Sequence, residues 1–398
     1  MFAAIALAVA LPTSVAFSDL GAHAAFPVQP AKAGGPTYTY MSVKSADALN
    51  LDGSRYGIAV CLSTVSKASW VFSTDGGGWC YDETSCYERA STTLGSNKTW
   101  PGEAAAMGCD PSGTMNYARL FYGDGASRSG NVRDPVSVPG NPSQQMWFRG
   151  AASFDSALDL LLELGMSEAE LIVFTGGSAG GLTVFLHLDH VAERMKTEAP
   201  KARVVGEPVC GFFLDSGNDG YQPPNVTYTL QLQYVYNMQQ ASGSLSQACQ
   251  QAHGADAWKC IMAPYAAPFV TTPWFALQSR FDHWQLSEEL FMPCMQSQPY
   301  APPFKPNTCN ATDVANIQSY GPRFMSQFRP LINTPNTKNG AFLDACIIHG
   351  STTSTIKNVT NSEAFQQWLA GGDQWYIMAC DGSDEAGPCD TAKVCVPF

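Results

Sequence analysis

The run from Phe174 to Gly181, Phe-Thr-Gly-Gly-Ser-Ala-Gly-Gly, sets a Gly-x-Ser-x-Gly pattern between two segments of different periodicity. Glu170 to Thr175 is a short apolar run that predicts a buried strand, and Gly181 to about Lys196 predicts a helix. A serine at such a junction occupies a tight turn that lifts its hydroxyl clear of its neighbours, and small flanking residues let strand and helix approach. That is the geometry of a nucleophile elbow. A plain glycine-rich turn carrying an incidental serine writes the same pattern, so the rest of the chain has to decide between them.

The flanking segments predict a mainly parallel sheet with helices on both faces, an α/β architecture with long insertions. Strands are expected at Tyr56–Leu62, Ser69–Ser73, Ala118–Tyr122, Gly211–Ser216, Trp274–Ser279 and Gly340–Ile348. Helices are expected at Asp155–Leu164, around Asp313–Phe328 and at Ser362–Leu369. A cysteine-bearing insertion fills Asn218 to Pro273, and a second proline-rich stretch runs from Met292 to Cys309. With no composition break or internal repeat, residues 25–398 read as one domain.

Residues 1–24 read as a secretory signal peptide. An apolar run to Leu11 is too short to span a bilayer, and small-residue sites follow at Ser14-Val-Ala16 and Ala22-His-Ala24. It lacks a basic start, which leaves an N-terminal anchor as the alternative. Thirteen cysteines, all beyond residue 60, predict disulfides and a secreted protein, with one thiol left over. Asn-x-Ser/Thr sequons at Asn97, Asn225, Asn310 and Asn358 fit that setting. The formal charge of −12 argues against nucleic acid and against highly anionic polymers, and favours esterified or neutral glycans.

If Ser178 is a nucleophile it needs a base, and the base needs an acid that orients it; in α/β-hydrolase order these follow as acid, then histidine. Six histidines make the search short. His23 lies in the signal segment. His187 and His190, on the helix after the serine, are expected to face solvent, and His253 in the insertion is expected to be structural or exposed. His349 follows the Gly340–Ile348 strand at the carboxyl edge of the sheet, where such folds gather their active groups. Asp282 ends the Trp274–Phe281 segment in the same way, and its neighbour His283 is expected to point elsewhere. Asp215 and Asp344 are rival acids.

Acyl transfer also requires donors aimed at the developing oxyanion. The backbone N–H groups of Gly78 and Trp79, in Gly76-Gly-Gly-Trp79 after an early strand, and of Ala179, just after the serine, are the candidates. The chemistry calls for no metal or organic cofactor. The competing reading is a secreted glycan-binding protein that keeps the fold without activity.

At these residues the chain resembles the pectin acetylesterase / Notum family of secreted carboxylesterases. The resemblance rests on Gly76-Gly-Gly-Trp-Cys80, Tyr122-Gly-Asp-Gly-Ala-Ser127, Phe148-Arg-Gly150, Gly176-Gly-Ser-Ala-Gly-Gly181, Gly211-Phe-Phe-Leu-Asp215, Phe281-Asp-His-Trp-Gln285 and the strand ending in His349. It runs from about residue 50 to 380. It implies Ser178, Asp282 and His349 as catalytic residues, with Gly78, Trp79 and Ala179 at the oxyanion positions. The implied substrate is an acetylated pectin-type polysaccharide or, in the Notum branch, a fatty-acylated protein. Gly177 and Gly350 stand where plant-type members resemble one another in carrying cysteines, so the family's disulfide pairing does not carry over whole.

Overall fold

The computed structural model describes residues 30–138, 140–217, 227–296, 309–332, 338–350, 355–371 and 375–377. The signal segment, the sequon at Asn225 and the cysteines beyond residue 377 lie outside them.

Strands β1 (Thr39–Ser42), β2 (Gly57–Cys61), β3 (Ser69–Thr74) and β4 (Met115–Leu120) form one half of a nine-stranded sheet. After a small hairpin of β5 (Val136–Val138) and β6 (Asn141–Met146), the other half comprises β7 (Leu171–Gly177), β8 (Arg203–Val209), β9 (Phe275–Ser279), β10 (Gly340–Asp344) and β13 (Trp375–Ile377). The short pair β11 (Thr355–Ile356) and β12 (Val359–Thr360) stands apart. The order across the large sheet is β1-β2-β4-β3-β7-β8-β9-β10-β13. Pairing is antiparallel at β1/β2 and β2/β4 and parallel from β4 to β13.

The central strands are apolar throughout because both faces are covered: β3, β9 and β10 are buried at every position, and β7 at all but Gly177. The helix Ala179–Glu198 packs on β7 and β8, and Asn361–Leu369 packs on β9 and β10. One continuous apolar cluster joins the sheet to its helices. Four disulfides, Cys61–Cys109, Cys80–Cys86, Cys249–Cys260 and Cys294–Cys309, are formed among the described residues, and Cys210 is free and buried.

The strand expected at Gly211–Ser216 is displaced upstream. The ladder strand is Arg203–Val209; at Cys210 the chain takes a positive φ of 40° and leaves the sheet. Beyond it, glutamine side chains replace the ladder. Phe212 N–H donates to Gln278 Oε1 (3.1 Å), Leu214 N–H donates to Gln285 Oε1 (2.9 Å), and Gln285 Nε2 donates to the Phe212 carbonyl (3.2 Å). The segment thereby satisfies its buried backbone without a partner strand.

Candidate active site

Ser178 sits between β7 and the helix Ala179–Glu198 with φ 59° and ψ −128°, a conformation an L-residue holds only where its surroundings enforce it. Packing supplies the enforcement. A Cβ on Gly180 would come within 2.0 Å of the Thr74 carbonyl oxygen on β3, so the helix start lies directly against the neighbouring strand. The Ser178 N–H donates to the Val209 carbonyl (3.0 Å) and lies 3.3 Å from Cys210 Sγ, which fixes the turn from below.

Three side chains from three strand ends meet at this point. Ser178 Oγ and His349 Nε2 are 2.9 Å apart, and His349 Nδ1 lies 2.9 and 3.0 Å from the two carboxylate oxygens of Asp282. Asp282 follows β9 and His349 follows β10, and those strands are paired in parallel register with Ser279 opposite Asp344. The two loops are tied together where they leave the sheet: Arg280 N–H donates to the Asp344 carbonyl (2.9 Å) and His283 N–H to the Ile348 carbonyl (3.1 Å). Asp282 is fully buried and its carboxylate accepts from Gln278 Nε2 (3.3 Å) and from Gln285 N–H (3.0 Å). These contacts hold the carboxylate in place against the His349 ring.

The rival acids are engaged elsewhere. Asp215 accepts from the Tyr265 hydroxyl, from Thr229 Oγ1 (2.8 Å) and from Gly217 N–H (3.1 Å). Asp344 accepts from Cys346 N–H (2.9 Å), and burial pushes its carboxyl up to about 7. His283 is buried beside Asp282, and burial holds its imidazole below the usual histidine value. His253 packs edge-on against Tyr265 and Phe269. His190 is exposed and pairs with Asp155 at 2.6 Å.

His187 departs from expectation. It is buried, not solvent-facing: its ring packs against Phe154, and its Nε2 lies 3.2 Å from the Ser127 carbonyl. Burial pulls its pKa down to about 3, so the ring is neutral and donates to that carbonyl. The helix turns this position toward the core because the segment is apolar almost all round.

Ser127 is a hub that sequence reasoning did not single out. Its Oγ donates to the Ala179 carbonyl (2.8 Å) and accepts from the Trp79 indole (2.9 Å), while its N–H donates to the Tyr122 hydroxyl (3.0 Å). Tyr122 in turn donates to the Gly78 carbonyl (2.7 Å), and Arg89 donates to the Gly77 carbonyl. The Gly76–Trp79 loop and the start of the elbow helix are thus joined through one buried hydroxyl. The available signal was the Tyr122-Gly-Asp-Gly-Ala-Ser127 motif, whose tyrosine and serine are the two members of this network.

Aromatic rings cluster beside the imidazole. Trp79 meets Phe213, Tyr228 and Trp284 with centroids 5.0, 5.5 and 5.6 Å away, and Phe213 and Trp284 lie 6.2 and 6.1 Å from the His349 ring. The contacts are mostly edge-to-face, the arrangement aromatic quadrupoles favour.

The pectinacetylesterase family model matches residues 32–387. The chain belongs to the pectinacetylesterase family. Among its relatives, pectin acetylesterase 11 of Arabidopsis thaliana is 28% identical over 358 residues, covering 83% of this chain and 86% of that one. The palmitoleoyl-protein carboxylesterase NOTUM of Mus musculus is 27% identical over 252 residues, 59% of this chain and 48% of that protein. A crystal form of the Wnt deacylase Notum from Drosophila superposes with a TM-score of 0.71 at 20% identity, covering 89% of this chain and 99% of that one, which establishes a shared α/β-hydrolase fold. This pectinacetylesterase family member is a carboxylic ester hydrolase. No helix among the described residues is long and apolar enough to cross a membrane.

Proposed function

We propose that this protein is a secreted serine esterase that removes acetyl groups from a pectin-type polysaccharide. The observation that carries the mechanism is the unbroken chain from Ser178 Oγ through the His349 ring to Asp282, each step 2.9 Å. His349 Nε2 takes the Ser178 proton as Oγ attacks the ester carbonyl, and the imidazolium is stabilised by Asp282 through Nδ1–H. The tetrahedral oxyanion rests on the N–H groups of Gly78, Trp79 and Ala179. His349 then returns its proton to the departing sugar hydroxyl, leaving acetyl on Ser178. Water, deprotonated by the same imidazole, releases acetate and restores the serine.

The aromatic packing around His349 supports a short acyl group. A long chain needs a deep apolar cavity, whereas Trp79, Phe213, Tyr228 and Trp284 pack on one another beside the imidazole. Pectin acetylesterases 11 and 7 of Arabidopsis thaliana match over 86% and 81% of their length, which supports this reading. Disulfides formed throughout the domain support an oxidising, extracellular setting.

The test compares wild type with Ser178→Ala. Acetate release from acetylated pectin and labelling by a fluorophosphonate should both vanish in the variant while its melting temperature holds. Retained activity in Ser178→Ala discards the nucleophile. Faster wild-type turnover of p-nitrophenyl octanoate than of the acetate discards the acyl assignment in favour of a Notum-like deacylase.

A further inference from the structure

A groove of about 500 Å³ that the mechanism does not use lies against the helix that opens with Tyr228. Its volume falls within the range of small-molecule clefts, roughly 300–1,000 Å³. It is lined by Tyr81, Asp82 and Glu83 on one side, and by Gln231, Tyr234 and Asn237 of the helix Tyr228–Met238 on the other. Both walls lead to the reacting centre. Tyr81 follows two residues after Trp79, whose amide is a proposed oxyanion donor. Tyr228, which opens the helix, packs its ring on Trp79 and Trp284.

We propose that this groove holds an uncharged pyranose residue of the polymer whose neighbouring residue carries the ester; this rests on the polysaccharide reading above. Tyr234 is 59% exposed, one of few large hydrophobic side chains left open, and it stands in a concavity rather than on a convex face. A tyrosine ring offers an apolar face to the C–H face of a sugar and a hydroxyl at its rim. Gln231, Asn237 and the carboxylates supply both donors and acceptors for ring hydroxyls. Among the described residues no lysine or arginine lines the groove, and the two carboxylates, on a chain of net charge −12, repel a free uronate. An uncharged ring arises in two ways, as a methyl-esterified uronic acid or as a neutral sugar, and both present the same chemistry.

The experiment uses full-length Ser178→Ala, which binds without turnover, alone and with Tyr234→Ala or Gln231→Ala added. Calorimetry with a short, fully methyl-esterified oligogalacturonide, with the same oligomer de-esterified and with a xylo-oligosaccharide separates the sources. The esterified oligomer should bind, each added substitution should weaken it by about tenfold, and the de-esterified oligomer should bind far less. Tyr234-dependent binding of the xylo-oligosaccharide instead assigns the groove to a neutral sugar. No binding, binding indifferent to both substitutions, or preference for the free uronate overturns the proposal. Failure of the polysaccharide reading appears separately, as wild-type protein that releases no acetate from acetylated pectin.

Discussion

The Trp79 indole donates to the hydroxyl of Ser127 at 2.9 Å, and that bond couples the two halves of the proposed oxyanion hole. Ser127 passes the constraint on by donating to the Ala179 carbonyl, and its own carbonyl accepts from the neutral ring of His187. Ser127 touches no reacting atom; it is a positioning residue. Preorganised donors stabilise the transition state because they need not reorient when charge develops, and losing one outright costs roughly 10²–10³ in rate. Ser127→Ala loosens the donors without deleting them, so kcat on p-nitrophenyl acetate should fall by roughly tenfold to hundredfold with KM little changed. Affinity for a trifluoromethyl ketone should fall in parallel. Unchanged kcat with a lowered melting temperature would reduce Ser127 to a packing role.

Gly76 tests the same wall from the other side. A Cβ built there would stand 2.4 Å from the Gly177 carbonyl oxygen and 2.6 Å from the Ser178 Cβ, with backbone rather than a flexible side chain in the way. Gly76→Ala must therefore push the loop off the elbow. Esterase activity and fluorophosphonate labelling should drop at least as far as in Ser127→Ala, while far-UV circular dichroism keeps its native form. A variant with native kcat would mean that the loop and the elbow are not held in register by this contact.

The candidate site was legible because its members sit at strand ends. The run Leu171–Gly177 announces a buried strand, and Asp282 and His349 each follow an apolar stretch that becomes β9 or β10. Adjacency of β9 and β10 then delivers acid and imidazole to one place, a fact of topology that order along the chain anticipates. What was hidden depends on packing. Arg203–Val209 reads poorly as a strand because Gly206, Glu207 and Pro208 interrupt it, yet it lies between β7 and β9. Ser127 and His187 gained their roles only once distant segments met, and Gln278 and Gln285 stand in for a ladder that no periodicity encodes.

Trp284 is the half-buried member of the aromatic cluster, so truncating it opens the acyl side at less cost to the core than Phe213 or Tyr228 would. Its ring packs on Trp79 and Phe213 at 5.6 and 5.2 Å. Each added methylene accommodated in an apolar pocket is worth roughly 1–3 kcal/mol. Trp284→Ala should raise the ratio of octanoate to acetate kcat/KM by at least about tenfold for p-nitrophenyl esters, since a tenfold change corresponds to only ~1.4 kcal/mol. A ratio that stays at the wild-type value places the acyl group on another side of Ser178.

Glu207 links stability to pH. It lies on β8 opposite Thr175 of β7, 2% exposed, and its Oε2 has no hydrogen-bond partner among the described residues. Burial pushes its pKa from an ordinary 4.5 up to about 8, against the opposing pull of the Thr175 hydroxyl. The folded chain therefore keeps a proton that the unfolded chain releases. Its contribution is fully present below pH 4.5 and is lost as pH rises through 8, by up to about 1.4 kcal/mol per unit within that window. Glu207→Gln holds a neutral group of the same shape at every pH. Melting curves of wild type and variant should nearly coincide at pH 5 and separate by several degrees at pH 8, the variant being the more stable. Parallel pH profiles would mean that Glu207 finds a cation or water when it ionises, and that the sheet interior is more accessible there than its burial indicates.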